Sequence, residues 1–257
     1  MIVDAHMHMG TLPNYYLPDK GFLSALELMD YLGIDYGMQM HMSGFTKMFE
    51  YAYQESENIF WGSDKRIFYG LVFDPHRRDE SLEWLKQAID NEGFVCIKIH
   101  PSWHQVYADD DAYEIIWEFA RTIRKPIVTH TWVVSDYNPS QKFSTPDRFE
   151  KYLAKYEDVK LVMGHGGGRY EGHKLAVEIA KRYPSVLLDT SGDVNVYGLL
   201  EYQVKHVGAE RILFGSDTNM MDPRGTMGKV LAAEISEHQK KLILGENAVR
   251  EFCLPEK

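Results

Sequence analysis

Cysteine is scarce: Cys96 and Cys253 are the only two in 257 residues. That is too few for a disulfide framework and fits a reducing compartment. Positive charge is in deficit, with 28 Lys and Arg against 38 Asp and Glu and a net charge of −10. No basic block stands out, so nucleic acid and anionic membrane surfaces are poor partners. No apolar run approaches the roughly 18 residues that a membrane span requires. The opening Met1-Ile-Val-Asp-Ala-His-Met-His8 lacks the basic segment and apolar stretch of a secretory leader. A cytoplasmic protein with a small-molecule partner is the expectation. Disorder is excluded by a composition of 44% hydrophobic and 26% charged residues. No linker, repeat of low complexity or shift of composition divides the chain, so a single domain over 1–257 is expected.

Eight short apolar runs are present: Ile2–His8, Ile34–Met42, Ile67–Phe73, Phe94–His100, Pro126–Trp132, Val159–His165, Val186–Thr190 and Ile212–Asp217. Runs of this kind suit strands buried on both faces in a parallel sheet. Helical patterns alternate with them, at Phe22–Leu32, Phe49–Trp61, Asp79–Asn91, Asp110–Ile123, Asp147–Tyr156, Glu171–Tyr183, Val196–Val207 and Gly228–Ser236. Two shorter helices, Ser236–Leu244 and Glu246–Phe252, follow. A repeat of about 32 residues suits βα units. Eight of them predict a closed (β/α)8 TIM barrel, with a doubly wound open sheet as the runner-up.

In such a barrel the active site lies where strands end. His6 and His8 end the first run, His41 the second, Lys98 and His100 the fourth, His130 the fifth, His165 the sixth and Asp217 the eighth. Six of the 11 histidines therefore fall at strand ends. Residues i and i+2 share a face of a strand, so His6 and His8 point together with Asp4 below them. Likewise Cys96, Lys98 and His100 share a face that should line the barrel. Imidazoles with one carboxylate around an open position suit a catalytic divalent metal, which polarises a substrate oxygen and acidifies bound water. Asp217 is of the right type to take a proton from that water.

Several residues also have plainer readings. His41 is as well explained by a hydrogen-bonded core role as by substrate contact, and His100 has a plainer reading in fixing the turn at Pro101. His76, His104, His173, His206 and His238 are expected at exposed positions. Cys96 reads as a small core filler, and the alternation of Met38, Met40 and Met42 reads as strand packing. Gly164–Gly168 does not extend to a dinucleotide fingerprint, because Arg169 stands where the third glycine is needed. Arg169 could clamp a substrate carboxylate or pair with a loop acid. The loops Thr11–Gly21, with Tyr15 and Tyr16, and Ser102–Asp110 are expected to shape specificity, and Val133–Pro146 to serve as a lid.

Asp4-Ala-His-Met-His8, Lys98-Ile-His-Pro101, the Thr-His-Thr around His130, Gly164-His-Gly-Gly-Gly168, Phe214-Gly-Ser-Asp217 and Gly245-Glu-Asn-Ala248 occur in that order. Together they resemble the amidohydrolase superfamily, in its amidohydrolase-related branch, over essentially the whole chain. The resemblance implies that His6, His8, His130 and Asp217 bind one metal ion, Zn2+ first and Mn2+ as the alternative. It implies that Asp217 also transfers protons, and that His165 orients water or polarises the substrate's reacting oxygen. A binuclear variant, with carboxylated Lys98 bridging two ions and His130 and His165 on the second, ranks behind. In the mononuclear form Lys98, with His100, Arg169 and His41, is left for substrate.

The expected reaction is hydrolysis of a small amide, lactone or ester by a metal-activated water attacking a carbonyl carbon. The alternative is a non-oxidative decarboxylase, since the branch includes enzymes such as aminocarboxymuconate-semialdehyde decarboxylase. Those chains tend to be longer, and many carry more carboxylates at the first strand, where this chain has only Asp4. A cluster of cations beside the metal would favour the lyase. A binding protein with a purely structural metal is the third reading. The few tail helices leave little material for a dimer-locking extension, although a homo-oligomer stays open.

Overall fold

The structure is a computed structural model, and it describes residues 1–11, 21–193 and 195–256. The loop tyrosines Tyr15 and Tyr16 lie outside the described residues. Eight parallel strands run in sequence order: β1 (Val3–Met7), β2 (Tyr36–Met40), β3 (Ile67–Val72), β4 (Phe94–Ile99), β5 (Ile127–His130), β6 (Leu161–Gly164), β7 (Val186–Asp189) and β8 (Ile212–Leu213). The ring closes because the segment after β8 runs beside β1. Ala5 N donates to Phe214 O at 2.8 Å, and Asp217 N donates to His6 O at 2.8 Å. This is the (β/α)8 TIM barrel expected from the alternating pattern; the open sheet is excluded.

Helices α1 (Phe22–Leu32), α2 (Phe49–Gly62), α3 (Arg78–Gln87), the single turn α4 (Pro101–His104), α5 (Glu114–Ile123), α6 (Glu150–Lys155), α7 (Glu171–Arg182), α8 (Leu199–Val207), α9 (Pro223–Ala232), α10 (Glu237–Lys241) and α11 (Asn247–Phe252) surround it. The helix expected at Gly228–Ser236 instead begins at Pro223. Asp222 caps it by accepting from Arg224 N, and proline fits the first turn, whose N–H groups have no intrahelical partner. Ser236 opens α10 with a reciprocal capping box to Gln239.

Strand side chains are buried almost throughout, with only His130 partly exposed. Val3, Ile97, Val128, Val162 and Leu188 join one continuous apolar core with the inner faces of α5 and α7. Trp117 on α5 stacks on Tyr152 at 5.4 Å within it. Burying such side chains contributes about 1.5–3 kcal/mol each before entropic costs. That rigid wall holds the polar strand ends in place. Among the described residues no helix is long and apolar enough to cross a membrane.

Candidate metal centre

β1 carries Asp4 and His6, His8 follows just beyond it, and all three are buried. The parallel pleat turns these alternate residues to one face, while Val3 and Ala5 join the apolar core. Asp217 reaches them from the segment after β8. Its Oδ1 stands 3.3 Å from His8 Nε2 and 3.9 Å from His6 Nε2. One ligand atom from each of His6, His8 and Asp217 lies within 4.8 Å of the others.

The rings are oriented from behind. His6 Nδ1 donates to Asp189 Oδ2 at 2.7 Å, and His8 Nδ1 donates to Met40 O at 3.0 Å. Each ring thereby keeps its proton at Nδ1 and offers a lone pair at Nε2. Imidazole ligands of metals are generally held in this way. The donor set therefore fits a divalent ion. Asp4 sits below, accepting from Ser216 N at 2.9 Å and bonded to the Ser216 hydroxyl. Burial opposes ionisation of Asp217, but the neighbouring His8, His165 and His6 rings hold its carboxyl below the usual range.

His130 is not part of that convergent group. Its Nδ1 lies 3.0 Å from His165 Nε2, and its Nε2 lies 2.9 Å from Gln141 Oε1. It is stacked between His100, at 4.2 Å and 10°, and Trp132, at 5.9 Å and 5°. Burial, reinforced by the adjacent His165, pushes the His130 ring well below the ordinary imidazole range. Both His165 and Asp217 adopt left-handed backbone, with φ of 64° and 69°. That conformation costs a non-glycine residue about 1 kcal/mol or more, a strain that collects at functional sites.

Lys98 is buried and donates from Nζ to His6 Nε2 at 3.0 Å. Burial pulls its pKa down to about 8. His100 and Arg169 border the same cavity. Arg169 is ion-paired with Asp193, and its guanidinium lies 5.6 Å from the Trp132 ring. The cavity holds about 430 Å³ and is walled by Phe45, Trp103 and Trp132. Met42, expected as strand packing, instead lies in a turn of 3-10 helix and borders this cavity.

His41 does not border the cavity. It is buried, accepts from Ser43 N at 3.3 Å, and meets the Tyr51 ring edge-on at 5.9 Å. His104 and His173, expected to be exposed, are both buried. His104 Nδ1 pairs with the Tyr113 hydroxyl at 2.8 Å, and His173 Nδ1 donates to Gly166 O at 2.9 Å. Four residues near the site were not foreseen: Asp189, Ser191, Gln141 and Asp193. For Asp189 there was a signal, because it is an acid at the end of β7, as Asp217 is the acid that ends the eighth apolar run.

Fold and site together define a (β/α)8 barrel with three donors at its C-terminal mouth that could hold a metal ion. The Amidohydrolase family model matches residues 3–252, and the chain belongs to that family. No curated protein matches the sequence. Solved structures that share the fold include the following three. A 5-carboxyvanillate decarboxylase from Sphingomonas paucimobilis is 14% identical, with 99% of each chain covered and a TM-score of 0.77. A dihydroxybenzoic acid decarboxylase from Polaromonas, with bound manganese and the inhibitor 2-nitroresorcinol, is 17% identical, with 100% of this chain and 98% of that chain covered and a TM-score of 0.75. A 4-oxalomesaconate hydratase from Rhodopseudomonas palustris is 15% identical, with 99% of this chain and 96% of that chain covered and a TM-score of 0.74.

Proposed function

We propose that the chain is a carboxy-lyase acting on a small, planar carboxylic acid, with one divalent ion held by His6, His8 and Asp217. The observation that carries this reading is that two cations, Lys98 and Arg169, border the same aromatic-walled cavity as those three donors. Phe45, Trp103 and Trp132 suit a flat ring, and the cations suit its carboxylate. Two of the three structures reported above are decarboxylases, one with manganese, which keeps Mn2+ beside Zn2+ as the ion.

When bound, the ion would supply Lewis acidity toward a substrate oxygen. Lys98 and Arg169 would bind and orient the carboxylate. The bond from the ring carbon to that group breaks, its electron pair stays on the ring carbon, and carbon dioxide leaves. The ring carbon takes a proton that Asp217, ionised at rest, would first accept from a water at the cavity mouth, with hydroxide released to solvent, and then deliver. Water is kept from the ring by Trp132 and Phe45.

Hydrolysis is the second reading, favoured by the nearness of Asp217 to His8 and His6, where a carboxylate could accept a proton from water. Assay of the metal-loaded chain against hydroxybenzoates and against their esters, lactones and amides in 18O-labelled water separates the two. Carbon dioxide with an unlabelled aromatic product supports the lyase. Solvent oxygen in the organic product overturns it.

A further inference from the structure

Four side chains behind the metal donors form a continuous chain that ends on a buried carboxylate. Gln141 lies against His130 Nε2 at 2.9 Å, and His130 Nδ1 against His165 Nε2 at 3.0 Å. His165 Nδ1 lies against Ser191 Oγ at 2.9 Å, and Ser191 Oγ against Asp189 Oδ1 at 2.5 Å. A neutral imidazole has one N–H and one lone pair, and a serine hydroxyl has one hydrogen. The chain can therefore run in only one of two directions, and every ring reverses together.

We infer that Ser191 is a positioning residue that directs this chain toward Asp189, leaving His165 with its proton on Nδ1 and a lone pair on Nε2. Asp189 Oδ1 already accepts from the backbone N–H of His165 at 2.8 Å and of Ser191 at 3.0 Å, and Oδ2 from His6. A carboxylate in that setting only accepts. The short hydroxyl–carboxylate contact is the charge-assisted kind and takes the single Ser191 hydrogen. His165 Nδ1 must then donate to Ser191 Oγ, and His130 Nδ1 must donate to His165 Nε2. Gln141 completes the direction by presenting its NH2 to His130. The two ends of an amide exchange by a half-turn that leaves its shape unchanged. Ser102 and Ser144, around the same amide end, can accept from it.

The consequence concerns chemistry. His165 Nε2 is an acceptor whose lone pair is taken by the His130 N–H, so it does not polarise a substrate oxygen by donating. Of the two roles implied for His165, polarisation by donation is lost, and the proton-bearing partner it orients is His130. This assignment refines the role of His165 at the proposed site, yet it is read without substrate, so it stands or falls apart from the carboxy-lyase reading.

The test is a long-range 1H–15N spectrum of the chelator-treated protein labelled at histidine nitrogens, with a His165→Asn spectrum for assignment. The expected result is a protonated Nδ1 and a bare Nε2 on His165. A protonated Nε2 on His165 overturns the inference. In Ser191→Ala the His165 signals should move toward the Nε2–H form; unchanged signals would assign the direction to something other than Ser191. Gln141→Leu should leave the His165 pattern intact, because the direction is set at the Asp189 end; loss of the pattern there would place control at the other end.

Discussion

Asp189→Asn tests how far the metal donors depend on what lies behind them. The carboxylate accepts four hydrogen bonds, from His6 Nδ1 at 2.7 Å, His165 N at 2.8 Å, Ser191 N at 3.0 Å and Ser191 Oγ at 2.5 Å. An asparagine has only one acceptor oxygen. Oδ1 is claimed by three donors, so the amide NH2 would fall opposite His6 Nδ1. Two N–H groups cannot share that contact. The His6 proton must then move to Nε2, the nitrogen that would ligate the metal. Loss of such a partner behind a ligand generally costs 10–100-fold in affinity, or about 1.4–2.7 kcal/mol. Competition with a chromophoric chelator, at fixed pH and with Zn2+ or Mn2+, reads this directly, and circular dichroism checks the fold. A folded Asp189→Asn variant with wild-type metal affinity would refute the reasoning.

Two further outcomes concern stability. Burial keeps His104 neutral, with its pKa pulled down to about 4, while Asp74, His76 and Lys47 are the charged or titratable groups around it. Its unfolded value is near 6.5, so the unfolded chain binds the extra proton between those limits. Stability is therefore full above that window and is lost as pH falls through it, by roughly 2 kcal/mol at pH 5 from this residue. Denaturant titrations of His104→Asn should show a shallower dependence over pH 6.5 to 4, and a slope equal to wild type would count against the assignment. Gly167 has φ +88°, and an added Cβ would overlap the Gly172 carbonyl and stand 2.8 Å from Ala176 Cβ. Gly167→Ala should cost about 3 kcal/mol or more in the same titration; a loss below 1 kcal/mol would mean that the turn relaxes freely.

The barrel was legible because burial on both faces writes each strand as a short apolar run, and because the polar exceptions gather where the runs end. His6, His8 and Asp217 were legible for the same reason. What escaped was set by contacts between distant segments. Ser191 lies beyond β7 and acquires its role only through His165 and Asp189, which no local pattern announces. Gln141 reaches His130 from a short 3-10 helix, Pro139–Phe143, within the segment after β5. His173 was different: with Ala176, Val177 and Ala180 it follows the 3.6-residue period of the buried face of α7, so its burial could have been read. The start of α9 was likewise marked by Asp222-Pro223, a capping residue followed by proline. His41 shows the reverse case, a strand-end histidine whose ring turns to Ser43 and Tyr51 because Gly10 packs against it.

The central claim is that one divalent ion sits on His6, His8 and Asp217. Elemental mass spectrometry of protein purified without added metal or chelator tests it most directly, alongside His8→Ala and Asp217→Ala variants. The account predicts about one equivalent per chain in the wild type and a large loss in each variant. Two equivalents would point to a bridging, carboxylated Lys98, and no metal even after Zn2+ or Mn2+ is supplied would contradict the site itself.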